Sequence, residues 1–146
     1  MIDPNLDHVG IVVPDVDEAV KSLTEHLGVT WRGTFEPVLP MHDHVNGVRD
    51  VKLRIALTEQ YPYLEIIQAM PDTPWALPGQ STSLHHLAFF AGDLAEDSER
   101  VAGPCPIEIA GVGPEGEMPK TFTYHVLDGL RFELLERRPP GSRISP

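Results

Sequence analysis

Residues 6–18 read LDHVGIVVPDVDE, and the same pattern returns in residues 84–96, which read LHHLAFFAGDLAE. In each stretch a histidine opens an apolar run, an aspartate follows seven positions later, and a glutamate follows three positions after the aspartate. The matched residues are His8 and His86, Asp15 and Asp93, and Glu18 and Glu96. An ungapped repeat of this kind indicates two copies of one structural unit.

The composition limits the classes of partner. The 146 residues suffice for one domain with an adequate core. With 22 acidic and 11 basic residues, the formal charge of -11 disfavours nucleic acid and anionic membranes as partners. We expect a soluble, cytoplasmic protein, since no apolar run approaches the ~20 residues of a membrane span and the single Cys105 has no internal disulfide partner.

The first unit begins as a strand over residues 6–13, rich in valine and isoleucine and ended by Pro14. Asp15 is a suitable N-cap, with Glu18 at the capping-box position, and the apolar spacing that follows predicts an amphipathic helix up to Gly28. Three strand-like segments come next, near residues 29–37, 48–57 and 62–69, with residues 40–47 interpreted as a connecting loop.

The second unit repeats this order. We predict a strand near 84–91, a helix over 94–102, and strands near 105–110, 120–127 and 130–136. Each unit then has the order βαβββ, and the fold class is α+β. The predicted boundaries are 1–70 for the first module, 71–82 for a proline-rich linker, 83–137 for the second module and 138–146 for a flexible tail that is disordered or lies across a partner subunit.

Strand alternation indicates which side chains share a face. Val9, Ile11 and Val13 form an apolar face that suits packing beneath the helix, so His8 must point to the other face. The same reasoning on the matching strands places Glu65, His86 and Glu133 on that other face. Isolated buried carboxylates are costly, whereas two imidazoles and two carboxylates around one divalent cation neutralise each other, and this ligand set suits Zn, Ni, Co, Mn or Fe(II).

Residues 6–19, together with residues 85–89 and 132–135, resemble the signatures of the vicinal oxygen chelate superfamily, which includes glyoxalase I, methylmalonyl-CoA epimerase, extradiol dioxygenases and bleomycin-resistance proteins. The resemblance implies that paired βαβββ modules form an open, cupped sheet around a central cavity. It also implies that one divalent metal ion is held by one residue from each of four strands, here His8, Glu65, His86 and Glu133.

The resemblance further implies an epimerase-like or glyoxalase-like isomerase or lyase that stabilises an enolate of a small carbonyl or acyl substrate. The His, Glu, His, Glu order is that of bacterial glyoxalase I, whereas the opening stretch is closer to the epimerases. The epimerases carry a glutamate base just before Gln-Gly-Val, and here Val45 precedes Asn46-Gly47-Val48.

Further residues are candidates for proton transfer and substrate binding. His44 is a candidate general acid or base, with Glu133 as the alternative among the ligands. Tyr63, Arg131 and His125 are candidate substrate-binding residues, although Arg131 is equally explained as a solvated strand end and His125 as a surface residue. We expect His85 to alternate to the helix side or the strand end and to be structural, and Trp75 to line a pocket or pack the linker.

Two other functions compete with the isomerase or lyase. A non-catalytic drug-binding protein of the bleomycin-resistance type needs no metal, so the complete His and Glu set argues against it. Extradiol ring cleavage uses Fe(II) and usually three protein ligands, so the presence of Glu65 argues against it. In each case we expect a homodimer acting on a small molecule.

Overall fold

The computed structural model describes residues 1–79 and 81–137, so the predicted tail at 138–146 lies outside the described residues. Within the described part, the chain forms two helices and ten strands in the order β1 (Leu6–Val13), α1 (Val16–Leu27), β2 (Trp31–Phe35), β3 (Val38–Asp43), β4 (Gly47–Lys52), β5 (Ile55–Thr58), β6 (Tyr63–Gln68), β7 (Ser83–Phe90), α2 (Leu94–Ala102), β8 (Ile109–Gly111), β9 (Phe122–Leu127) and β10 (Leu130–Leu135). Neither helix is long and apolar enough to cross a membrane.

The ten strands form one curled, cupped sheet in the order β2-β5-β6-β1-β7-β10-β9-β8-β3-β4. The two repeated opening strands, β1 and β7, pair with each other antiparallel at the centre of the sheet. Each of them pairs on its other side, in parallel, with the last strand of its own unit, β6 or β10. The predicted α+β cupped fold is therefore confirmed, and its four central strands are those that carry the histidines and glutamates.

Both helices begin at the predicted caps. The Asp15 side chain accepts a hydrogen bond from the Glu18 backbone N–H, and Asp93 does the same for Glu96. Gly28 ends α1 with a left-handed backbone (φ 70°), a conformation that glycine adopts without steric cost. Local capping signals thus determine where each helix begins and ends.

The segment between β2 and β5 differs from the sequence prediction. Residues 38–43, interpreted mainly as loop, form strand β3, and the strand predicted over 48–57 divides into β4 and β5. Strands β3 and β4 make a hairpin that leaves its own unit and pairs with β8 at the far edge, through Met41 with Gly111 and His42 with Ala110. The hairpin itself pairs locally, but its place in the sheet depends on β8, about 70 positions further along the chain, and the sequence prediction did not include it.

Apolar side chains pack on both faces of the sheet. On the convex face, α1 covers Val13, Ala56 and Ile66, while α2 lies against a cluster with Ala91 and Leu134. The concave face holds the larger cluster, made of Val12, Met41, Val51, Leu53, Ile55, Ile67, Trp75, Ile109, Phe122 and Tyr124. Trp75 is 1% exposed, so the predicted linker fills part of the cup, while the module boundaries themselves remain a prediction.

A buried polar chain joins α2 to strand β9. Ser98 and Thr123 are fully buried, with their hydroxyls 2.9 Å apart, and Thr123 Oγ1 lies 2.8 Å from His125 Nε2. His125 is itself 2% exposed, and its Nδ1 has no hydrogen-bond partner among the described residues. Burial lowers the pKa of His125 because a charged imidazole loses its hydration there.

This lowered pKa predicts a loss of stability in acid. The unfolded chain takes up a proton near pH 6.5 while folded His125 stays neutral, so the contribution of His125 is complete above that pH and falls below it, by at most about 1.4 kcal/mol per pH unit. Urea unfolding should show that the unfolding free energy falls more between pH 7.5 and pH 5.5 in the wild type than in His125→Leu. Equal losses in the two proteins would contradict the prediction, and the exposed His26→Leu variant is the control.

Candidate functional site

Four ionisable side chains converge at the centre of the sheet, one from each of four neighbouring strands. They are His8 from β1, Glu65 from β6, His86 from β7 and Glu133 from β10, and we call them the quartet. Each is at most 8% exposed, and one ligand atom from each lies within 4.8 Å of all the others. The structure therefore brings together the four residues that strand alternation placed on one face.

The distances inside the quartet are those of a coordination sphere. The Nε2 atoms of His8 and His86 lie 3.0 Å apart, and they lie 3.0 and 2.9 Å from Glu133 Oε2. Glu65 Oε1 is more distant, at 3.7 and 3.6 Å from the same two nitrogens. Metal–ligand bonds of ~2.1 Å place neighbouring ligand atoms about 3.0 Å apart at octahedral angles and about 3.4 Å apart at tetrahedral angles.

Gly10 makes room for this arrangement. It is the β1 residue paired with Glu65 on one side and with His86 on the other, and a Cβ built on it would overlap the His86 imidazole ring. The ring thus lies directly over the backbone of β1. No other amino acid at position 10 leaves His86 in this position.

We expect Gly10→Ala to displace the His86 ring and to weaken divalent-ion binding by tenfold or more, in line with the effect of disturbing residues that support metal ligands. Isothermal titration with Zn²⁺ or Mn²⁺ measures this change. Val9→Ala alters the neighbouring residue on the opposite face and is the matched control. Unchanged affinity in Gly10→Ala would show that the ring does not need the space.

Two β-bulges orient the imidazoles. In the pairing of β1 with β7, one extra residue lies in each strand, Asp7 before His8 and His85 before His86. The first bulge brings the Asp7 carboxylate to 2.9 Å from His8 Nδ1. Because the Asp7 carboxylate accepts the Nδ1 proton, Nε2 is the nitrogen of His8 that faces the quartet and would bind a cation once it is deprotonated.

The second bulge corrects the interpretation of His85, which does not alternate to the helix side. His85 Nε2 lies 2.7 Å from the Pro74 carbonyl oxygen, which accepts a proton, and His85 Nδ1 lies 2.8 Å from His86 Nδ1. Burial, with the charges of His86 and Arg131, lowers the pKa of His85 to about 3, so its ring is neutral. His85 Nδ1 therefore accepts the proton of His86 Nδ1, and Nε2 of His86 is free to bind a cation.

The two buried carboxylates of the quartet favour a positive charge, which the proton of His8 supplies when no cation is bound. Burial alone would lower the pKa of His8, but the charge of Glu65 and the contacts with Asp7 and Glu133 raise it well above its usual range. Burial raises the pKa of Glu65, and the charge of His8 offsets only part of that effect. Burial also acts to raise the pKa of Glu133, yet the neighbouring His86 and His8 lower it to about 2.

Glu133 Oε2 is the clearest sign of a missing partner. It lies within 3.0 Å of two ring nitrogens, yet neither N–H direction satisfies it, so this buried oxygen has no hydrogen-bond donor among the described residues. Without a cation, the proton of His8 supplies the positive charge beside this oxygen, and a divalent ion bound between the carboxylate and the two Nε2 atoms would replace that proton. The residues present thus fit a divalent metal ion, with ligand types that suit Zn, Ni, Co, Mn or Fe.

Aromatic side chains pack against His85 and His86. The Tyr124 ring lies 5.0 Å from that of His86, and its hydroxyl accepts a hydrogen bond of 3.3 Å from Trp75 Nε1. Burial, with the charges of Glu133 and Glu65, raises the pKa of Tyr124 well above its usual range, so the phenol is neutral. The Trp75 ring stacks at 24° on His85. The linker thereby supports the quartet as well as the core.

The structure does not bring the remaining predicted residues to the quartet, with one exception. His44 is exposed at the tip of the β3–β4 hairpin, where it lines a cleft of about 340 Å³ with Asp72, Pro74 and Glu108, and within residues 1–79 and 81–137 no hydrogen bond or ion pair joins it to the quartet. Tyr63 is the exception, because it pairs in register with His8.

Two of the predicted substrate-binding residues lie elsewhere. The Arg131 guanidinium makes a bidentate ion pair with Glu108, at 2.7 and 2.8 Å, so its donors are already engaged. His125 packs beneath α2, because Tyr124, one position before it, takes the concave face. Sequence reasoning missed the roles of Asp7 and Gly10 and did not connect His85 with His86, although a polar residue directly before each repeated histidine was a usable signal.

Comparison with known proteins gives a family match and several similar structures. A family model described as Glyoxalase/Bleomycin resistance protein/Dioxygenase superfamily matches residues 7–103. Methylmalonyl-CoA epimerase of Streptomyces coelicolor, in complex with 2-nitronate-propionyl-CoA, is 20% identical, with 90% of this chain and 95% of that chain covered and a TM-score of 0.60. The methylmalonyl-CoA epimerase of Mycobacterium tuberculosis is 20% identical, with 95% of this chain and 94% of that chain covered and a TM-score of 0.57.

A mutant of 4-hydroxymandelate synthase from Streptomyces coelicolor is also similar, at 24% identity and a TM-score of 0.52, with 94% of this chain and 38% of that longer chain covered. No curated protein matches the sequence. At these identities the structural likeness concerns the fold, whereas the family match concerns the sequence itself.

Proposed function

Because the chain belongs to the glyoxalase/bleomycin resistance protein/dioxygenase superfamily, we propose that it is a metal-dependent isomerase or lyase that stabilises an enolate of a small carbonyl or acyl substrate. The observation that carries the proposal is the buried quartet, in which two oriented imidazole nitrogens face an unsatisfied carboxylate oxygen. When bound, a divalent cation would act as a Lewis acid on the substrate carbonyl oxygen.

The four ligands have different tasks in this proposal. His8 and His86 would bind the cation through Nε2, since Asp7 and His85 engage the Nδ1 atoms. Glu133 would bind it most tightly, because its Oε2 lies closest to both nitrogens. Glu133 would thus serve as a ligand, and its catalytic role stays a prediction.

Glu65 is better suited to move the proton. Its carboxylate lies further from the two imidazoles than that of Glu133, and burial raises its pKa toward the range useful for a general base. His44 remains the alternative, but it would have to approach from the hairpin tip. Asp43, the nearby buried carboxylate, is engaged in the hairpin turn, where its Oδ1 accepts hydrogen bonds from the backbone N–H groups of Val45 and Asn46.

Proton exchange tests the proposal. The chain, purified and assayed for metal by elemental analysis, should hold roughly one divalent ion and should exchange the α-proton of an acyl-CoA or an α-ketoaldehyde with D₂O. Chelation should abolish the exchange and added Zn²⁺, Ni²⁺ or Mn²⁺ should restore it. Exchange that survives complete chelation would refute a metal-dependent reaction, and small-molecule binding unchanged by chelation would instead support the binding-protein alternative.

A further inference from the structure

An exposed arginine, Arg32, lies on an aromatic platform made of the Tyr61 and Tyr63 rings, on the strand next to the one that carries His8. The guanidinium carbon of Arg32 is 4.4 Å from the centroid of the Tyr63 ring, and the Tyr61 ring contacts that of Tyr63 edge-on, with centroids 5.5 Å apart. Tyr63 pairs in register with His8, and it lies two residues before Glu65 on β6. Side chains two apart on a strand share a face, so Tyr63 points to the side on which the quartet lies.

The platform is held in place by a network of side chains. Gln60 Oε1 accepts a hydrogen bond of 3.0 Å from the Thr30 backbone N–H, and Gln60 Nε2 donates one of 2.8 Å to Thr30 Oγ1. The Glu59 backbone N–H donates to the Thr30 carbonyl at 2.9 Å, and the Tyr61 hydroxyl donates to the Leu6 carbonyl. The start of β2, the turn before β6 and the start of β1 are thereby joined around Arg32.

A bulge in β2 determines the direction of the Arg32 side chain. The register between β2 and β5 shifts between Trp31 and Gly33, so Arg32 is the extra residue. Trp31 packs with the convex cluster beneath α1, whereas the Arg32 side chain lies over the Tyr63 ring. The bulge thus directs a cation toward the concave face.

Arg32 differs from the other arginines in its charge partners. Within residues 1–79 and 81–137, each of the others has a carboxylate oxygen at 2.5–3.9 Å: Arg49, Arg54, Arg100, Arg131 and Arg137. In that same part of the chain Arg32 contacts the face of an aromatic ring and no carboxylate. In a chain with a formal charge of -11, such a guanidinium retains its donors for an external anion.

From this juxtaposition we propose that Arg32, supported by Tyr63, binds an oxyanion of the substrate. The substrate is then a short oxo acid or oxo phosphate whose carbonyl reaches the quartet. The inference rests on the proposed function for the position of the carbonyl. Tyr63 and Glu65 are about 6.6 Å apart along the strand. A substrate with only a few atoms between its carbonyl and its anionic group therefore spans the two sites.

Matched ligand probes test the proposal on the full chain loaded with Mn²⁺. The probes are 4-oxopentanoate, hydroxyacetone phosphate and the neutral 2-pentanone, and their paramagnetic line broadening in proton NMR reports both affinity and proximity to the quartet. We expect one or both anionic probes to bind at least fivefold more tightly than 2-pentanone. The stronger of the two shows whether the site suits a carboxylate or a phosphate.

Variants assign the preference to one side chain. Arg32→Gln should weaken binding of the preferred anionic probe about tenfold or more and leave 2-pentanone unchanged, because a charge-assisted hydrogen bond is lost. Arg32→Lys should show an intermediate loss, since it keeps the charge without the planar fork. Arg54→Gln, an arginine already paired with Asp17 and Glu36, should bind all the probes as the wild type does.

The outcomes separate this inference from the proposed function. No preference for either anion in the wild type, or full anion binding in Arg32→Gln with Mn²⁺ still bound, would overturn the role of Arg32. A wild-type chain that holds no divalent ion would overturn the proposed function instead. In that case saturation-transfer NMR of the wild type and Arg32→Gln, both without metal, decides whether Arg32 binds the anion.

Discussion

The double variant His8→Ala/His86→Ala is expected to lose its bound divalent ion and all metal-dependent proton exchange. These two residues would supply the nitrogen ligands, and each has its Nδ1 proton accepted by a neighbour, so that Nε2 faces the other members of the quartet. Removing both leaves two buried carboxylates that repel each other and bind a cation weakly. Metal affinity should fall by several orders of magnitude, since structural sites in proteins bind with an apparent ~10 kcal/mol or more.

Elemental analysis after gel filtration measures the metal, and circular dichroism confirms that the sheet still forms. The exposed His26→Ala variant on α1 is the control and should keep its metal. Full metal occupancy in the double variant would remove the basis of the proposed function. A protein that binds no metal even as the wild type would do the same.

Trp75→Ala is expected to cost about 3–5 kcal/mol of unfolding free energy, the usual loss for truncating a fully buried tryptophan. Trp75 is 1% exposed in the largest apolar cluster, and its indole N–H donates to Tyr124. Its backbone also accepts a hydrogen bond of 3.0 Å from the Met70 N–H, so the side chain anchors the whole linker. Urea denaturation monitored by far-UV circular dichroism measures the change.

The same variant should weaken metal binding, because the Pro74 carbonyl that orients His85 is no longer held in place. Trp31→Ala is the matched control, because Trp31 is only partly buried and packs under α1. This variant should lose less unfolding free energy and should bind metal as the wild type does. A loss below about 1 kcal/mol for Trp75→Ala would mean that the linker only connects the modules.

Much of the candidate site could be read from the repeat. The ungapped match between residues 6–18 and 84–96 identified two equivalent strand and helix units, and both helices begin at the aspartates that the pattern indicated. Alternation along the strands is a local property of the backbone, so it placed His8, Glu65, His86 and Glu133 on one face without any tertiary information. The four-residue cluster follows once the two units face each other.

Side-chain alternation failed where the strands are irregular. His85 was expected to lie at the helix side or the strand end, but a bulge turns it toward His86. Arg32 likewise reaches the Tyr63 ring through a bulge in β2. A bulge forms when two strands pair in a shifted register, so one strand read alone does not reveal it. The sequence also left His125 open to either face, and the packing of Ser98 against Thr123 decided it.

By itself, then, the sequence determined the two units, the caps of their helices and the four residues of the quartet, because these depend on the spacing of residues a few positions apart. Only the tertiary structure decided that the hairpin of β3 and β4 joins the sheet through the pairing of β3 with β8, and that Trp75 fills part of the cup. It also decided that the Pro74 carbonyl and the Asp7 carboxylate orient the imidazoles. These features join residues distant in sequence or strands in a shifted register. Their energies come from pairing and burial across the whole sheet, which no local pattern records.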